Sequence, residues 1–118
     1  MPRTMFLTIA LLICSGHAPA AGTGYSYEDG NGLLRLCRGD NNFDWGVCHS
    51  YLIGIHDAHG SFAHSGLLSE QRFCPPEGIE VGALKQAFLD YAESNPGVLD
   101  RTASSLVIDA YRIAFPCS

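Results

Sequence analysis

Two stretches of helical periodicity stand between Cys74 and Cys117, and this closed frame constrains the fold more than any other feature of the chain. Val81, Leu84, Phe88 and Tyr91 recur at helical spacing, as do Ala103, Leu106, Val107, Ala110, Ile113 and Ala114. Between the two runs, Ser94-Asn95-Pro96-Gly97 stops the first helix, because the residue before a proline is pushed out of the α region. Asp100 is the expected cap of the second helix, and Pro116 closes it. If the two helices lie antiparallel, the residue before the first and the residue after the second meet at one end of the hairpin. Cys74 and Cys117 are therefore expected to be bonded.

The other cysteines depend on how the chain begins. A weakly basic opening, Pro2-Arg3, precedes an apolar run from Met5 to Cys14 that is too short to span a bilayer, which takes about 20 apolar residues. Ala18-Pro19-Ala20 places small residues where a signal peptidase reads them, so residues 1–20 are expected to be a cleaved signal peptide and residues 21–118 the exported domain. Acylation of Cys14 is the competing reading, disfavoured because Ile13 stands where that processing wants a small side chain. Of the five cysteines, cleavage removes Cys14 and leaves Cys37, Cys48, Cys74 and Cys117, an even set for an oxidising compartment. Three pairings are possible. Cys37–Cys48 and Cys74–Cys117 are chosen because each joins the open ends of a helix pair. A zinc site of the same four side chains lacks any Cys-x-x-Cys.

Residues 21–29 are small, polar and without periodicity, and are expected to be disordered. Leu33, Leu36 and Cys37 then form a short apolar turn and a half, closed by Gly39 as a residue free to adopt positive φ. Asp44 is read as the cap of the next helix, whose stripe is Trp45, Cys48, Leu52, Ile55 and His59. Trp45 is expected to start the core beside the Cys37–Cys48 bridge, and Gly54 to mark the close passage of another helix. The expected fold is all-α, a small disulfide-stapled four-helix domain of two helical hairpins, with helices near residues 30–38, 44–58, 80–94 and 100–114.

Charge limits the partners. The whole chain has a formal net charge of −5, and loss of Arg3 leaves six basic residues against twelve acidic ones. The remaining cations are scattered, so neither nucleic acid nor stable membrane insertion is expected. An acidic surface suits a basic protein partner.

Chemistry is sparse. His49, His56, His59 and His64 form the only cluster with obvious potential: His49 and His56 share a helix face, and His56 and His59 are three apart. Two such ligands without a third, and with Asp57 directed elsewhere, leave ordinary surface or half-buried histidines as the plainer reading, and neither a metal nor a cofactor is expected. No Gly-x-Ser-x-Gly is present, the carboxylates are isolated, and the exported cysteines are committed to bridges, so no enzyme is expected. The segment from His59 to Arg72 is the longest connection between helices. Phe62, Leu67 and Leu68 within it either fold back as a lid on the core or face a partner.

An ordered set of residues adds a resemblance. Leu33 to Cys37, then Cys48, Tyr51, Gly54 and Asp57, then Cys74-Pro75-Pro76-Glu77-Gly78, Tyr91, Asn95-Pro96 and Ala114-Phe115-Pro116-Cys117 resemble the Rap/Tai family of type VI secretion immunity proteins. The resemblance implies a periplasmic protein that dimerises and pushes a loop into the groove of an effector toxin, a peptidoglycan amidase. On this reading Gly60, Ser61, Phe62, His64 and Ser65 form the partner-binding loop, with the turn from Asn95 to Asp100 as second choice. An acid-stress chaperone and a histidine-based metal protein are the readings from other classes.

Overall fold

The computed structural model describes residues 27–118. Four helices account for most of it: α1 (Gly30–Arg38), α2 (Asn42–His64), α3 (Val81–Ser94) and α4 (Ala103–Ala114), with a short 3-10 turn at Pro96–Val98. The described residues contain no sheet, only an isolated bridge between Asp29 and Thr102. α1 packs on α2 and α3 packs on α4, and the two hairpins close on each other. The expected signal peptide and most of the expected disordered segment lie outside the described residues.

α1 begins where Asp29 accepts a hydrogen bond from Gly32 N–H at 2.8 Å, and it buries Leu33, Leu36 and Cys37. Its start is also tied to the far hairpin. Gly30 N–H donates to Arg101 C=O at 3.0 Å, Asn31 N–H to Leu99 C=O at 2.9 Å, and Ala103 N–H to Glu28 C=O at 2.9 Å. Each helix start thus satisfies unpaired groups of the other, and Thr102, rather than Asp100, stands at the cap of α4 without a side-chain cap bond. The carbonyls of Glu28 and Asp29 accept hydrogen bonds from Ala103 and Leu33 N–H, so the disorder expected through residue 29 does not apply to these two. Gly30 is where backbones approach closely, since a Cβ there would meet Leu99 Cα and C=O at 3.0 and 2.8 Å.

Several local expectations are corrected. The cap of α2 is Asn41, whose Oδ1 accepts from Asp44 N–H at 2.9 Å while its Nδ2 donates to the Asp44 carboxylate at 2.8 Å; Asp44 is its partner three residues on. Gly39 has φ −59°, an ordinary value. Glycine is needed there because a Cβ would collide with the Asp44 side chain. Nothing approaches Gly54, which is a tolerated glycine on an exposed face. Trp45 is 55% exposed and lies against His49, with ring centroids 4.2 Å apart, so the core stripe of α2 starts at Cys48.

The core gathers Leu33, Leu36, Leu52, Leu84, Phe88, Leu106 and Val107 around two large side chains outside the expected pattern. Tyr111 is fully buried and donates from its hydroxyl to Leu52 C=O at 3.2 Å, joining α4 to α2. Phe73, in the connector, is 1% exposed and fits between His59, stacked at 3.9 Å, and the edge-on Tyr111 ring at 5.1 Å. Ile113, expected inside, is 71% exposed. Cys37 is bonded to Cys48 and Cys74 to Cys117, with Cα–Cα distances of 5.0 and 4.9 Å. Beside the second bridge, Cys74 N–H donates to Phe115 C=O at 2.8 Å.

Candidate partner-binding surface

The expected loop at 59–72 is helical through His64, because α2 runs for 23 residues. Gly60 costs about 1 kcal/mol in a helix, and no proline intervenes, so Ala58, Phe62 and Ala63 carry the helix through it. The stop lies at Gly66, φ +77°. Gly66 N–H donates to Ala63 C=O at 3.3 Å and Leu67 N–H to Phe62 C=O at 2.9 Å, the paired bonds of a Schellman ending. A glycine followed by a leucine was the available signal for this boundary.

The five residues expected to contact a partner are therefore not one loop. Gly60, Ser61, Phe62 and His64 stand on the last turns of α2, and Ser65 closes them with its hydroxyl donating to Phe62 C=O at 3.2 Å. All are exposed, but helical geometry turns them to different sides. Ile55, Ala58, His59 and Phe62 share one face at spacings of three and four, whereas Gly60 and His64, two residues either side of Phe62, face away from it. That face forms one wall of an apolar groove of about 380 Å³, completed by Leu68 and Arg72 of the connector and by Ile108 and Arg112 of α4. Phe62, 48% exposed, is the only one of the five that lines it. Leu67, next in sequence to the groove residue Leu68, is 74% exposed.

His59, on the same wall, holds the connector. Its Nε2 accepts from Arg72 N–H at 2.9 Å, which requires that nitrogen to be unprotonated. Burial, and then the neighbouring His56, lower its pKa below the ordinary histidine value. The histidines do not converge. His56 pairs through Nδ1 with Asp57 at 3.1 Å, against the expectation that Asp57 is directed elsewhere. His49 is buried under Trp45, and neither of its ring nitrogens has a partner. Its pKa is lowered by burial and then by Lys85. Among the described residues no three His, Cys, Asp or Glu side chains are grouped as metal ligands, and no helix is long and apolar enough to cross a membrane. The second candidate, the turn from Asn95 to Asp100, precedes α4, lines no part of this groove and buries Leu99 in the core.

A frame of two bridged helix pairs that presents an apolar groove suits binding, and comparison with known families specifies it further. The family model of the Rap1a immunity proteins matches residues 29–117. The chain belongs to this family. The match runs from the cap of α1 to the final cysteine, so both bridges and the groove lie inside the Rap1a region. It agrees with the Rap/Tai resemblance carried by the cysteines and the Phe-Pro-Cys ending. No curated protein and no solved structure gives a match. As a member of the Rap1a family, the chain is a small disulfide-stabilised immunity-type protein.

Proposed function

We propose that this Rap1a-family protein is exported to the periplasm, with residues 1–20 removed, and protects its producer by docking as a homodimer on a type VI secretion effector, a peptidoglycan amidase, and occluding its substrate groove. The observation that carries the reading is the end of α2. Phe62 is half-exposed at the lip of an apolar groove, on a helix pinned by Tyr111 and closed by Gly66, so a large aromatic anchor is held without a flexible loop. Occlusion requires no chemistry, only a shaped surface whose ordering cost is met during folding. An interface of about 1,600 Å² is enough for tight association, and its energy concentrates in a few aromatic or arginine anchors.

The test is survival. The chain with its leader is expressed in a sensitive cell beside candidate peptidoglycan amidases directed to the periplasm. Protection against one of them, with stoichiometric capture of that enzyme by the purified protein, is the expected result. Lysis with every amidase while folded protein accumulates in the periplasm would refute the reading.

A further inference from the structure

The groove at the end of α2 carries two arginines on its otherwise apolar lining. Arg72 and Arg112 line it and also line the neighbouring hollow formed with Tyr91, Ile113 and Pro116, so together they form a ridge between two depressions. Arg112 is partly neutralised, sharing Asp109 with Arg101 at 3.5 and 3.3 Å. Arg72 has no ion pair among the described residues. Its backbone is fixed by the hydrogen bond to His59 Nε2 at 2.9 Å, which sets the side chain at the groove edge. In a chain of net charge −5, an unpaired cation beside an apolar wall runs against the general sign of the surface.

Apolar walls contribute affinity by burial, and a guanidinium at their edge takes a carboxylate in a forked pair. At about 380 Å³ the groove falls within the roughly 300–1,000 Å³ of ordinary binding pockets. We infer that the groove receives a segment of the effector that inserts an apolar side chain between Phe62 and Ile108 and sets a carboxylate on Arg72. This inference rests on the immunity reading and refines it, since the protein then accepts a segment of its partner as well as covering one. A purely apolar segment leaves Arg72 without a partner, and a basic one is repelled by both arginines, so selection falls on acidic, apolar sequences.

An array of acetylated, amidated hexapeptides tests this. Each holds Leu or Phe at a fixed position and either Asp or Asn at every other offset, and is probed with disulfide-intact protein. Asp peptides should be retained at one or two offsets, with affinity at least about fivefold above their Asn counterparts at low salt. Arg72→Gln should abolish that difference, and its exposed side chain and retained backbone N–H leave the fold intact. Ala58→Trp, which fills the groove, should abolish retention altogether, with a melting curve to show that it folds. Equal retention of Asp and Asn peptides, an undiminished preference in Arg72→Gln, or no retained peptide would overturn the inference. Failure of the array with survival intact removes this docking mode and leaves immunity standing. Arg72-dependent retention without protection by any amidase removes the effector as the partner.

Discussion

Replacing Cys74 and Cys117 together by alanine should cost about 4 kcal/mol of folding stability. The bridge closes a segment with a sequence separation of 43, and chain entropy removed from the unfolded state grows as about 2.1 + 1.5R ln n cal/mol/K, which at 25 °C gives about 4 kcal/mol. Packing adds little, because Cys117 is exposed and Cys74 half-buried, so alanine leaves almost no cavity. That makes this pair the cleaner experiment. Cys37 and Cys48 are 1% and 0% exposed, and their removal would mix about 3 kcal/mol of loop entropy, for a separation of 11, with a packing loss. For a domain of this size, 4 kcal/mol corresponds to a melting temperature lowered by roughly 16–32 °C, a large share of a total stability of about 5–15 kcal/mol. Urea unfolding followed by circular dichroism at 222 nm reads the loss as a shift in midpoint. A double variant that loses less than about 1 kcal/mol would show that the unfolded chain is already restrained without the bridge, and the loop-entropy argument would fail.

Phe62→Ala should lower stability by no more than about 1 kcal/mol, as expected for a half-exposed ring, yet weaken effector capture at least tenfold in a binding titration. A large loss of stability with capture unchanged would make Phe62 a core residue. Folded His49 resists protonation while the unfolded side chain binds a proton near pH 6.5. Its contribution to stability is therefore full above about 6.5 and is lost as the pH falls toward the lowered folded value, so His49→Leu should flatten the fall in melting temperature as the pH is taken below about 6.5. Tyr111→Phe should cost about 1 kcal/mol through the bond to Leu52, read by chemical denaturation. Gly54→Ala should stabilise by up to about 1 kcal/mol and Gly30→Ala should destabilise, a contrast that thermal melts of the two variants would check.

The fold was legible where spacing and punctuation agreed. Leu33, Leu36 and Cys37 located α1, and the Asn95-Pro96 break separated α3 from α4. What escaped was information that spacing does not carry. Phe73 sits alone in a segment of prolines and polar residues, and nothing in its neighbours signals that it enters the core. Tyr111 belongs to the α4 face through its position four residues after Val107, but Ile113 fits nearly as well by periodicity, and only the meeting with Leu52 and Phe73 decides between them. At the candidate surface, Gly60 and Ser61 read as loop residues because local propensity favours a break. The helix continues past His59, which stacks on Phe73 and accepts from Arg72 N–H of the connector, a tertiary gain that propensity does not register. Arg72 escaped for a related reason, since its place beside Phe62 depends on the path of the connector.

The bonds between residues 28–31 and 99–103 give the domain two unlike poles. The described chain starts at one, beside the turn before α4, while Arg112 at the groove edge and Cys117 lie toward the other, Arg112 standing nine residues along α4 from Ala103, about 14 Å. Attachment to a bead or sensor surface through residues ahead of Tyr27 therefore turns the groove toward solution. A linker joined after Ser118 starts next to Cys117 and Arg112 and crowds the same hollows. The orientation of immobilisation would then govern the measured affinity, and the two tagging schemes should disagree for any partner that uses this pole.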